Sequence, residues 1–590
     1  MIHARGLART FHTRQGDVDA VRGVDLNVDA GEIVGFLGPN GAGKTTTLRM
    51  LTTLLTPTSG EATVAGIDLR RDPAGVRRRI GYVAQSGSTA GAARAGEEVV
   101  DHALLYGVPR SAAVTRGRQL FDQLELDGLW DRKCSTLSGG QRRRLDIALG
   151  LVHVPELVFL DEPTTGLDPQ ARANLWVHVR ALRDDRGSTV FLTTHYLDEA
   201  DALCDRILVI DHGSIVAEGT PEALKQQVSG DVIVLTAARA EDTPRIAAIA
   251  ATMPSVESPA VDGMLVEVRV PSGAALLVPL LRSLDPGRRV PHPDRPLAAR
   301  RREQRCASRH TSDPGRSSSM TTTTASTTLG RVHERTPSTF VHDTLVVFRR
   351  AMRLSLRNPV WAIMGLLQPV LYLSLFGPLL KPLAPALGAT NAYQLFVPGL
   401  LVQLGMFGAL FVGFGLISEW RDGVIESERV TPAPRSALVL GRVLRDVLVI
   451  LVQGVVLVVT AYPFGLSAPF WGMVLGIVSA ALLGAAFASL SYAVALTLKS
   501  EDALAPLLNG VALPLLLLSG ILLPINARSA PAWLNRLSDI NPLKHVVNGI
   551  RAEFAGNIVS STALWGYLIT ALLVGFGLWF GTRTFRHEDG

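Results

Sequence analysis

Cysteine is nearly missing from this chain: three occur in 590 residues, Cys134, Cys204 and Cys306, too far apart for the paired spacing of a zinc site. They read as small buried or surface thiols. Lysine is almost absent beside arginine, and the arginines behind the net charge of +6 gather at the flanks of apolar runs and in one mixed stretch after Asp285. No nucleic-acid partner is expected from such a distribution. The first residues lack an apolar core as well. Met1 to Asp19 is polar and carries Arg5, Arg9 and Arg14, so no cleavable signal peptide is expected and the N-terminal half should face the cytoplasm.

What is present divides the chain. At 590 residues it exceeds one ordinary core, and domains of roughly 100 to 200 residues suggest three or four units. Up to about Gly230 charged and apolar residues are interspersed as in a soluble α/β protein, whereas beyond Arg357 long apolar runs carry few charges. One part reads as aqueous, the other as lipid-embedded.

The apolar run Ile33 to Leu37, the loop Gly38-Pro39-Asn40-Gly41-Ala42-Gly43-Lys44-Thr45 and the stretch from Thr46 to Leu54 give the strand, loop and helix of a phosphate-binding loop. Its glycines let backbone N–H groups curl around a β-phosphate, Lys44 reaches β and γ oxygens, and the Thr45 hydroxyl suits Mg²⁺. Leu157 to Leu160 reads as a buried strand that delivers Asp161 and Glu162 to the edge of a parallel sheet. Asp161 should hold Mg²⁺ through water and Glu162 should polarise the attacking water, because phosphoryl transfer needs positioning and charge neutralisation. Leu137-Ser138-Gly139-Gly140-Gln141 sets a serine hydroxyl and glycine amides at a helix N-terminus, a ready anion site. A further strand, Thr189 to Leu192, ends in Thr193-Thr194-His195, and a lone histidine at such a place ordinarily reads as a core residue.

These motifs, in this order from Ile2 to about Lys225, resemble ABC-type ATPases; Phe36 to Thr47 and Leu160 to Pro169 look like the cassettes of daunorubicin-resistance-type drug exporters. The resemblance implies that Ser138, Gly139, Gly140 and Gln141 grip the γ-phosphate held by a partner subunit. ATP would then lie between Lys44, Thr45 and Asp161 of one cassette and Ser138 and Gly140 of another. The resemblance also makes His195 a switch residue on the γ-phosphate and Gln85, closing the strand Ile80 to Ala84, a Mg²⁺ contact that faces the membrane domain. Asp168 would lie on a loop crossing the dimer interface, and Phe11 would stack on adenine. The expected catalytic set is thus Lys44, Glu162 and His195, with Thr45, Gln85 and Asp161 for the metal. Gly38, Asn40, Gly41, Ala42, Gly43 and Thr46 complete the nucleotide contacts. One stretch departs from the family: Ser86 to Gly96 is small and glycine-rich where such cassettes continue with an acidic residue and a Leu-Thr pair.

After this cassette, set at residues 1–228, short β-like runs (Val232 to Leu235, Met264 to Val270) alternate with helical ones (Arg245 to Ala251, Ala274 to Leu284), which suits a small α+β extension over 229–284. Residues 285–339 are rich in Arg, Pro, Ser and Thr, as in a disordered linker. Met320 and the residues after it look like the beginning of a separate permease, as if two neighbouring reading frames had been joined by fusion or frameshift. An ordinary flexible tether is the other reading.

The region 340–590 should be all-α, with about six spans: Val360 to Leu380, Leu395 to Ser418, Val447 to Leu466, Trp471 to Leu498, Leu504 to Leu523 and Leu564 to Phe580. Phe340 to Leu356 is amphipathic, and Arg349, Arg350, Arg353 and Arg357 should turn to the interface of the bilayer. Those arginines, with Arg421, Arg429, Arg435, Arg442 and Arg445 and then Arg583 and Arg586, put both ends on the cytoplasmic side; Lys544 and Arg551 fall outside. The charged loop Glu419 to Arg435 resembles the cytoplasmic helix by which type-two ABC exporters dock on their ATPase. Ser519-Gly520, Pro524, Pro531-Ala532-Trp533 and Asn541-Pro542-Leu543 resemble the outer segment of such exporters. No span has a central cluster of ionisable residues, so an apolar or amphipathic cargo fits better than an ion.

The expectation is a multidomain chain: an α/β phosphate-loop ATPase cassette with a small α+β extension and an all-α transmembrane domain. It would export hydrophobic, drug-like molecules across a bacterial cytoplasmic membrane, working as a homodimer or a paired half-transporter. Two alternatives stand beside it: a lipid, polyketide-like metabolite or polysaccharide precursor as cargo, and a membrane-bound sensor that uses ATP to signal.

Overall fold

A computed structural model describes residues 1–284 and 337–587, apart from 14–15, 185–186, 230, 238, 254–255, 257–258, 271–278, 281–282, 383–384, 386–390, 523 and 526–529. The expected linker, with Cys306 and Met320, lies almost wholly outside them.

The cassette is built on a six-stranded sheet in the order β10-β9-β3-β8-β7-β6. The strands are β3 (Ile33–Leu37), β6 (Ile80–Val83), β7 (Leu157–Asp161), β8 (Thr189–Thr194), β9 (Arg206–Asp211) and β10 (Ser214–Gly219). β3, β6, β7 and β8 are buried along their whole length, which is why they read as continuous apolar runs rather than alternating ones. An antiparallel sheet of β1 (Ile2–Thr13), β2 (Gly16–Val28), β4 (Ser59–Val64) and β5 (Ile67–Asp68) supplies further walls of the same core. Within the central sheet β3, β8 and β7 are parallel neighbours, with Leu37 opposite Thr194 and Thr193 opposite Asp161. Their carboxyl ends, where a parallel sheet binds ligands, therefore open side by side.

The region after the cassette forms an antiparallel sheet of β11 (Asp231–Thr236), β12 (Ala260–Asp262) and β13 (Leu265–Val270) in the order β11-β13-β12. Ile233, Val266 and Val268 close on Ala250 of the helix Thr243–Ala251. The runs Val232 to Leu235, Arg245 to Ala251 and Met264 to Val270 overlap β11, the helix and β13, whereas β12 was not read from the sequence; most of the helical run from Ala274 lies outside the described residues.

In the C-terminal half, six helices are long and apolar enough to cross a membrane among the described residues. The first, fourth and fifth are Val360–Leu380, Phe470–Leu498 and Glu501–Leu518, and the sixth is Ser561–His587. The second breaks at Phe411 into Ala392–Leu410 and Val412–Arg421. The third, Arg435–Ala461, begins well before the expected Val447. Its early turns tolerate arginine because Arg442 pairs with Glu419 and Glu428, and Arg445 with Asp446 and the Tyr492 hydroxyl. Small residues let the helices close: a Cβ on Gly405 would lie 2.4 Å from the Ala480 carbonyl oxygen.

Among the described residues of the expected outer segment and those just after it, two short helices form, Ala532–Ile540 and Pro542–Phe554. Side chains reach several of the backbone carbonyls around them, as apolar surroundings demand. Ser538 donates to the Leu518 carbonyl at 2.7 Å and Asn541 to that of Leu515 at 2.8 Å. Arg551 donates to the carbonyls of Leu395 at 3.1 Å and Gly520 at 2.7 Å. The two cations that escaped the charge rule thus both have partners, Lys544 being held by Asp539 at 2.7 Å.

Candidate nucleotide site and its docking seam

The phosphate loop leaves β3 and enters the helix Lys44–Leu51 through Gly43, whose φ of 104° only glycine adopts readily. Gly38 also needs its missing side chain, since a Cβ there would lie 2.3 Å from the Ile210 carbonyl oxygen. Lys44 is buried and turns back over the loop, donating to the carbonyls of Gly38 at 2.8 Å and Pro39 at 3.1 Å. Its ammonium lies 3.4 Å from Glu162.

The acidic strand meets this loop. Asp161 accepts hydrogen bonds from Thr45 at 3.2 Å and from Thr193 at 2.6 Å. Burial pushes the Asp161 carboxyl up, against the pull of the Thr193 hydroxyl. Glu162 follows with φ 41°, a left-handed backbone that is costly outside glycine, and its amide donates to Thr193 at 3.0 Å. That turn brings the carboxylate against Gln85 at 3.0 Å, Thr165 at 3.2 Å and the His195 Nδ1 at 3.3 Å. Lys44, Thr45, Gln85, Asp161, Glu162 and His195 are therefore one cluster.

The other expected residues lie apart from it by local structure. Ser138 caps the helix Gly139–Leu151, accepting from the Gln141 amide at 3.3 Å while the Gln141 side chain accepts from the Ser138 amide at 3.0 Å. Ser138 and Gly139 are exposed, and a Cβ on Gly139 would meet nothing within 4 Å. Asp168, also exposed, accepts from the Ala171 amide at 2.9 Å and starts the helix Pro169–Asp184. Phe11 is half-buried on β1 with the Arg9 guanidinium 4.8 Å over its ring.

Two residues escaped the sequence reading. Thr193 binds both acidic neighbours, and its place in the Thr-Thr-His run was the available signal. Arg143, in a run of three arginines that looks solvated, is buried and donates to the carbonyls of Pro163 at 2.8 Å and Asp161 at 2.9 Å. It fastens the helix that starts at Ser138 to the acidic loop.

The charged loop after the second span folds into the helix Val424–Val430, seated on the cassette. Arg49, on the helix that begins at the phosphate loop, grips Glu426 with two hydrogen bonds of 3.0 and 3.2 Å, and the Tyr82 hydroxyl donates to it at 2.7 Å. Arg77 donates to the Thr431 carbonyl at 3.0 Å, and Val430 is buried in the cassette core. Gly423 (φ 76°) presses on Gly87 so closely that a Cβ would lie 2.1 Å from the Gly87 carbonyl oxygen. The glycine-rich departure after Gln85 is thus where the two backbones touch.

Fold and cluster define the class: an ATPase cassette joined to a membrane permease, which couples ATP hydrolysis to transport. The chain belongs to the ABC transporters, for a family described as ABC transporter matches residues 21–165 and one described as ABC-2 type transporter matches residues 342–554. It is a nucleotide-binding, multi-pass membrane protein.

Among its relatives, the daunorubicin/doxorubicin resistance ATP-binding protein DrrA of Streptomyces peucetius is 49% identical over 40% of this chain and 69% of that protein. The doxorubicin resistance ATP-binding protein DrrA of Mycobacterium tuberculosis is 40% identical over 48% of this chain and 86% of its own length. A Nod factor export ATP-binding protein I of Burkholderia lata is 41% identical over 38% of this chain and 74% of its length. A solved dimeric cassette in a post-hydrolysis state with ADP and Pi aligns at 27% identity and TM-score 0.35, covering 38% of this chain and 99% of that one.

Proposed function

We propose that the chain exports hydrophobic or amphipathic small molecules of the antibiotic type across a bacterial cytoplasmic membrane. The observation that carries this reading is the 49% identity of its cassette to a relative named for daunorubicin and doxorubicin resistance. Two copies form the working unit. ATP binds on Gly38, Asn40, Gly41, Ala42, Gly43, Lys44, Thr45 and Thr46, with Phe11 against the base. Ser138, Gly139, Gly140 and Gln141 of the second copy close over the γ-phosphate, and Asp168 lies on the loop between the copies. Thr45, Gln85 and Asp161 offer oxygen donors, the chemistry Mg²⁺ prefers, and the ion would supply charge neutralisation at the phosphates.

Glu162 orients the water that attacks the γ-phosphate, and the hydrogen bond it accepts from Gln85 and its contact with His195 fix the direction of its carboxylate. Movement of the phosphate-loop helix passes through Arg49 to Glu426 and so to the spans. A cargo of another kind is favoured by one observation, the 41% identity to a Nod factor export protein. ATP-dependent uptake into inverted membrane vesicles separates the two. Anthracycline accumulation that needs ATP supports the drug reading, and accumulation of lipid or saccharide probes alone would replace it.

A further inference from the structure

The helix Pro337–Arg357 was expected to turn its arginines to the interface of the bilayer, yet Arg350 is buried, Arg353 half-buried, and Arg357, though exposed like Arg349, is paired with the cassette. Arg350, Arg353 and Arg357, spaced by three and four residues, lie on one helical face and meet a matching acidic row on the cassette helix Ala95–Leu105. Arg350 makes two hydrogen bonds to Glu98, of 3.2 and 3.1 Å. Arg353 reaches both oxygens of Asp101 at 2.7 and 2.6 Å, and Arg357 both oxygens of Glu97 at 2.7 and 2.6 Å. Two-pronged contacts of this kind fix geometry as well as energy.

The row continues into the permease. Arg350 also donates to Glu428 at 2.9 Å, Arg442 to Glu428 at 2.8 Å, and Arg442 to Glu419 at 2.7 Å. Charges of alternating sign, Glu98, Arg350, Glu428, Arg442 and Glu419, thus run without a break from cassette to spans. Burial pushes the Glu98 and Asp101 carboxyls up against the pull of Arg350 and Arg353, so each buried acid depends on its arginine to stay charged. Leu105 of the cassette helix joins the apolar core of the permease, which frames the ladder with packing.

A second observation comes from the relatives. The 234 matched residues are 69% of the Streptomyces peucetius protein, which is therefore about 340 residues long, too short for a cassette plus six spans of roughly 20 residues with their connections. A cassette of this kind thus occurs in a chain with no room for such a permease.

We infer that the Glu97, Glu98 and Asp101 row against Arg357, Arg350 and Arg353, not the connecting peptide, holds the cassette on the permease and decides which cassette the permease accepts. The full-length protein is purified in detergent with a protease site inserted at residues 300–320 and an affinity tag at the C-terminus, cut after folding, and washed on the resin. The cassette fragment is expected to stay. Arg350→Gln should raise its release at least about tenfold, because a buried acid loses its partner, while Arg349→Gln, on the other face, should release no more than the parent. Since Arg350 is buried and its loss could disturb folding, the rim pair gives the second arm: Arg357→Glu should release the cassette and Glu97→Arg in the same chain should restore it. Loss of the cassette from the parent on cutting, equal release by the two glutamine variants, or no restoration by the exchanged pair would each overturn the inference.

Discussion

Glu162 holds a left-handed backbone that no glycine relieves, at a cost of order 1 to 3 kcal/mol, and the strain turns its carboxylate toward Lys44, Gln85 and His195. Glu162→Gln keeps the shape and removes the charge, so ATP should still bind while steady-state phosphate release falls roughly 100-fold or more. Unchanged turnover would refute the role. Thr193→Val should also slow turnover, by about tenfold, because Asp161 loses its closest hydrogen-bond donor and the Glu162 amide its acceptor.

A buried histidine bears on acid stability. Burial, with His153 beside it, lowers His102 from 6.5 to about 3. A depressed imidazole contributes stability that is present above 6.5 and lost as pH falls from there toward about 3, because the unfolded chain takes the proton first. Melting temperature should therefore drop between about pH 7 and about pH 5, at up to about 1.4 kcal/mol per unit, and the drop should be shallower in His102→Gln. Equal slopes in both proteins would assign the acid sensitivity elsewhere.

Among the elements, the seat of the Val424–Val430 helix is set by backbone contact. Gly423→Ala puts a methyl on a residue with φ 76° and against the Gly87 carbonyl oxygen. It should leave ATP binding in place but weaken the stimulation of ATP hydrolysis by cargo, read in proteoliposomes; stimulation equal to the parent would detach this contact from coupling. The phosphate loop and acidic strand were legible because each is a run of adjacent residues whose strand and turn carry their own signal. Arg143 was not, since a buried arginine satisfied by carbonyls has the same letters as a solvated one. Nor was the true partner of Arg350, which lies 252 positions earlier in Glu98, beyond any local pattern. The third span began early for the same reason: the acids that neutralise Arg442 come from two other helices, Val412–Arg421 and Val424–Val430.

For the whole molecule, the exposed Ser138 and Gly139 and the clustered Lys44, Thr45 and Glu162 are halves of the proposed site that only a second copy would join. Glu162→Gln with ATP should accordingly run at twice the mass of the single chain in detergent and return to it when nucleotide is removed; a single mass in both states would end the two-copy account.

Val430 carries a further consequence. This residue of the membrane half is 1% exposed and completes the hydrophobic interior of the cassette, while Val424 nearby fills a niche made by Ala90 and Ala93. During synthesis the N-terminal domain emerges long before these plugs exist, with open sockets on its underside. A ribosome that stops short would thus release a sticky fragment, and quality-control proteases or holding chaperones should recognise orphaned N-terminal product by that vacancy.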